Sequence, residues 1–89
     1  MDLYTIVADC RGFRAVGQHQ GASPRAALKS WLRTFRLGIF PLSKRTEKKA
    51  RKELLACKPI GGGSSPNVWI VVALRRCDFL VHIIKTRKS

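Results

Sequence analysis

Acidic residues are the scarcest class in this chain: Asp plus Glu number 5 against 18 Lys plus Arg, leaving a formal net charge of +13. The five are Asp2, Asp9, Glu47, Glu53 and Asp78, and no two have the spacing of an acid/base pair or a shared metal site. General acid/base catalysis therefore lacks players, and no catalytic residue is assigned. Cysteine is also sparse. Cys10, Cys57 and Cys77 form no short-spaced pair, and an odd count suits reduced thiols better than a disulfide framework. His19 and His82 do not complete the roughly four ligands that a zinc site requires, so neither a metal nor another cofactor is expected. The two histidines read as a solvent-facing loop residue and a core residue respectively.

Long apolar runs are missing too. The longest, Val68 to Leu74, falls far short of the roughly 20 residues needed to cross a bilayer. The start, Met1-Asp2-Leu3-Tyr4, lacks the basic, apolar and small-residue regions of a secretory signal, which sets a cytoplasmic location as the expectation. Pro59-Ile60-Gly61-Gly62-Gly63-Ser64-Ser65-Pro66 is rich in glycine, but it leads toward a strand and has no Lys-Ser/Thr pair. It reads as a linker over 59–66, not a phosphate loop, and no small-molecule substrate is implied.

What is present is one small folded unit spanning 1–89, with 45% hydrophobic residues alongside the high charge. Period-two patterning gives a first hairpin over 3–18, turning at Arg11-Gly12. Ser23-Pro24 then signals a helix start, and the spacing predicts a helix over 23–37 with Leu28, Trp31, Leu32 and Phe35 on one apolar stripe. Ser43 caps a second helix over 44–57, whose apolar face is only Ala50, Leu54 and Cys57. Such a helix is expected to dock lightly and to fray without a partner. A second hairpin over 68–86 completes an α+β domain of ββααββ order, an antiparallel four-stranded sheet with helices packed on it.

Val68, Ile70, Val72 and Leu74 lie on one face of the third strand, and Trp69, Val71 and Ala73 on the other. The fourth strand is apolar on both faces as well. Either the helices divide between the faces, or a second subunit covers one of them, which makes a homodimer an expectation.

The cations are concentrated in the helical middle. Arg25, Lys29, Arg33 and Arg36 form a row beside the first helix's apolar stripe, and Lys44, Arg45, Lys48, Lys49, Arg51 and Lys52 spread around the second helix. Lys85, Arg87 and Lys88 add a basic tail. A solvated face ordinarily intersperses acids among its bases, whereas Arg25 to Arg45 contains no acid at all. Such a surface fits a polyanion, so nucleic acid, DNA or RNA, is the expected partner and a membrane is not. The ten named helix cations are the candidate contacts. Trp31, Phe35, Trp69 and Phe79 read as packing residues, with Phe40 the loop aromatic outside the core. The alternative is a protein-interaction or adaptor module that homodimerises through its sheet near Trp69 and Val71.

Tyr4-Thr5-Ile6-Val7, a second strand and then Ser23-Pro24-Arg25-Ala26-Ala27-Leu28 entering a helix resemble the start of HicB-like antitoxin domains, over about a third of the chain. The resemblance implies a small α/β module that binds a partner protein and often DNA, without catalysis of its own.

Overall fold

A computed structural model describes residues 1–34, 40, 42–57, 59–61, 67–74 and 79–87. Strands β1 (Asp2–Cys10) and β2 (Phe13–Gly21) form the first hairpin. Its turn places Arg11 at φ 48° and Gly12 at φ 85°, the consecutive left-handed pair of a two-residue hairpin connection whose twist matches that of the flanking strands.

Helix α1 (Pro24–Thr34) follows. Ser23 caps it: the Ala26 N–H donates to Ser23 Oγ at 3.1 Å and the Ala27 N–H to the Ser23 carbonyl oxygen at 3.0 Å. Its buried stripe is Ala27, Leu28, Trp31 and Leu32. Phe35 and Arg36, the predicted continuation, lie outside the described residues. Helix α2 (Lys44–Ala56) begins at Ser43, whose Oγ accepts from the Thr46 N–H at 3.2 Å.

The sheet corrects the four-stranded expectation. It has five strands, because Ile60–Gly61 forms a short β3 ahead of β4 (Val68–Ala73) and β5 (Phe79–Arg87). Ile60 pairs with Ile70 and Gly61 with Trp69, so part of the presumed linker adds an edge to the sheet. Spatial order is β2-β1-β5-β4-β3, every pairing is antiparallel, and the two hairpins join through β1 and β5 at the centre.

Both helices lie on one face. Tyr4, Ile6, Ala8 and Cys10 of β1, Val71 and Ala73 of β4, and Phe79, Val81 and Ile83 of β5 point into the core beneath them. Phe40, expected outside this core, is 3% exposed and packs edge-on against Phe79 at 5.1 Å between ring centroids. Trp69 packs edge-on against Tyr4 at 5.9 Å. Val71 is buried, so the surface proposed around Trp69 and Val71 belongs to the helix-covered layer. The opposite face, carrying Val68, Ile70 and Val72, is the open one.

Candidate functional site

Helix α2 buries little, as its sequence implies, but what it buries is sealed: Ala50 and Leu54 are both at 0% exposure. Cys57, assigned to the same stripe, is exposed and serves instead as the C-cap, its N–H donating to the Glu53 carbonyl oxygen at 3.0 Å. Polar ties supplement this narrow foot. Arg25 Nη2 donates to the Leu55 carbonyl oxygen at 3.1 Å, and Arg51 Nη1 donates to the carbonyl oxygen of Leu32. The Leu74 N–H donates to Glu53 Oε2 at 3.3 Å, fixing α2 to the end of β4 where Leu74 has a φ of 66°. Each tie joins one of the charged side chains to a main-chain group at or near the described end of an element.

These contacts divide the ten predicted cations. Arg25 and Arg51 hold the two helices together. Lys29 and Arg33 of α1, and Lys44, Arg45, Lys48, Lys49 and Lys52 of α2, are exposed. Arg36 lies outside the described residues. At about 100° per residue, Arg45, Lys48, Lys49 and Lys52 gather opposite Ala50 and Leu54, on the side of α2 that faces away from the sheet.

A groove of about 270 Å³ runs between the helices, lined by Lys29, Leu32, Arg33, Arg51 and Leu55. Three of those five residues are cationic and none is acidic. Leu32 and Leu55 supply an apolar floor, and Leu55, 37% exposed, is a residue the charge pattern alone did not single out. Its signal in the sequence was its place between Arg51 and the helix end. Like charges brought this close repel one another, and an anion seated among them removes that repulsion.

Two of the described acids are spent in the strands, and the other two, Glu47 and Glu53, lie on α2. Asp9 pairs with Arg14 at 2.7 Å and Asp2 with Lys85 at 3.0 Å, both in the strands. Lys85, counted with the basic tail, is thus already neutralised, and Lys88 lies outside the described residues. The Asp9 carboxylate, by hydrogen bond and charge, raises the Arg14 pKa further above its ordinary value. With Glu53 turned toward β4, Glu47 is the other described acid on the helices, one turn before Arg51, against nine described cations there, so the excess positive charge collects on the helices.

His19 differs from its loop assignment. It lies within β2, partly buried under α1, with Ser30 Oγ 3.4 Å from Nδ1, and burial lowers its pKa below the ordinary 6.5. Among the described residues no group of three or more His, Cys, Asp or Glu is placed to hold a metal ion, and no helix is long and apolar enough to cross a membrane. Comparison with known protein families, curated proteins and solved structures finds no match to this chain.

Proposed function

We propose that this chain is a small non-catalytic module that binds nucleic acid through the outer surface of its two helices. The observation that carries the reading is the groove between α1 and α2, where the exposed Lys29 and Arg33 meet Arg51, itself held by the Leu32 carbonyl, without an acid in the lining. Phosphates are the anions that such a surface fits best, because closely spaced cations neutralise successive phosphates and release condensed counterions. The exposed side chains of Arg45, Lys48, Lys49 and Lys52 extend the same field along α2.

The contacts are to the backbone of the nucleic acid. The aromatic rings Trp31, Phe40 and Phe79 are buried, which leaves them unavailable as platforms for unstacked bases, and the exposed ring among the described residues, Phe13, is at the hairpin turn and not on either helix. Binding is therefore of low sequence selectivity and steeply salt-dependent. Titration of labelled duplex and single strands across salt concentrations tests the reading, and no affinity at low salt would refute it.

A second reading, a protein-interaction or antitoxin-like adaptor, draws support from a different place: the uncovered apolar face of the sheet.

A further inference from the structure

The cross-strand registers place Val16 beside Val7, Val7 beside His82, His82 beside Ile70 and Ile70 beside Ile60, one row running over all five strands. The row lies on the face opposite the helices. Val72 opposite Leu80 widens it on one side and Ile84 opposite Val68 on the other. Val16 is 64% exposed, Ile60 72% and Val72 38%. Apart from His82 the row is apolar, flanked on β1 and β2 by the Thr5–Gln18 and Asp9–Arg14 pairs, and an apolar strip with a polar rim on a chain this charged marks a contact face.

We propose that the occupant is a second copy of this chain, packed back to back through the open sheet face. Charge selects it. On this face of the strands the described charged side chains are Asp9 and Arg14, and they form an ion pair at 2.7 Å. Two copies of a +13 chain repel through their helical layers. Face to face through the sheets, those layers point away from each other. An anionic membrane or an acidic protein would instead be drawn to the cations, which lie on the far side.

Area is sufficient as well. Strands of 9, 9, 9, 6 and 2 residues, at about 3.4 Å per residue and about 4.8 Å apart, give a sheet face of roughly 500 Å². Stacked sheets pack about 10 Å apart, and burying such a patch on both copies removes about 1,000 Å² from water, the lower bound of a specific interface. A contact of this size is at the small end for a specific dimer, so association is expected in the upper part of a concentration series. Resting on the nucleic-acid reading, a functional consequence follows: the dimer presents two cationic helical layers on opposite outer faces, so it bridges two separate nucleic-acid segments.

Sedimentation equilibrium of the full chain without nucleic acid, up to roughly 200 μM, tests the dimer. The expected mass at the upper end is twice the 10.0 kDa of one chain. Val72→Glu and Val16→Glu, at exposed positions, raise the dissociation constant at least ~10-fold by placing an unpaired charge in the contact, with an unchanged circular dichroism spectrum. A chain that stays monomeric throughout overturns the proposal and leaves the nucleic-acid reading standing. So does a dimer that both variants leave intact, because it must use another surface. Bridging is read by whether the chain carries a labelled duplex onto an immobilised one. The wild type does so, whereas Val72→Glu binds each duplex but loses the bridge. A dimer that binds no duplex refutes the nucleic-acid reading and keeps the back-to-back contact.

Discussion

Gly21, the last residue of β2, passes so close under α1 that a Cβ there would stand 2.6 Å from the backbone nitrogen of Ala27. The missing side chain is what lets the helix settle on the edge of the sheet. Gly21→Ala forces backbone against backbone and is expected to cost about 1–3 kcal/mol, read from urea unfolding. Gly17→Ala is the control. A Cβ at Gly17 meets Trp31 and His19 at an ordinary 3.8 Å, so its stability stays within about 0.5 kcal/mol of the wild type or rises.

Arg51 and Lys52 are neighbours in sequence with opposite expectations. Arg51→Met removes the donor to the Leu32 carbonyl and lowers stability by about 1 kcal/mol. Lys52→Met leaves stability within about 0.5 kcal/mol and weakens nucleic-acid binding. Melting curves and binding isotherms on the same two variants separate the tie from the contact.

Glu53→Ala takes away the carboxylate that receives the Leu74 N–H, at a turn where the leucine backbone is already in the left-handed region. The expected loss is about 1–2 kcal/mol, with Glu53→Gln recovering part of it through its amide oxygen. Equilibrium unfolding of the two variants gives both values.

Protonation of His19 is disfavoured by its burial beneath α1, which sets its folded pKa below the 6.5 of an exposed imidazole. The unfolded chain consequently binds more protons as pH falls through that value. His19 therefore makes stability decline from about pH 7 toward pH 5, and His19→Gln flattens that slope. Thermal melts at half-unit pH steps show it.

The helix stripe and the first hairpin were legible because their periods are unmixed: Leu28, Trp31 and Leu32 repeat at helical spacing, and Arg11-Gly12 suits only a turn. Short β3 was not. Ile60-Gly61 sits in a run of Gly, Ser and Pro, and only pairing with Ile70 and Trp69 makes it a strand. Nor could the faces of β4 be told apart locally, since both parities are apolar. The choice is tertiary: β5 pairs with β1, which sets Phe79, Val81 and Ile83 in the same layer as Tyr4, Ile6 and Ala8, and β4 follows with Val71 and Ala73.

Within the candidate site, the cationic nature of both helices was plain, but the division of labour was not. Arg25 and Arg51 look like the neighbouring lysines in sequence, and only the approach of α1 to α2 gives their guanidinium groups carbonyl oxygens to hold.

Binding of nucleic-acid phosphates by the outer helical surface is read from duplex affinity against salt for the wild type and for the double variant Lys48→Glu/Lys52→Glu. For the wild type a plot of log affinity against log salt should be linear with a slope of about −3.6 to −4.5, as for roughly four to five neutralised phosphates. The double variant should bind at least ~10-fold more weakly, with a slope shallower by about 2. A wild type that shows no affinity at low salt, or a double variant that keeps both affinity and slope, would contradict the account.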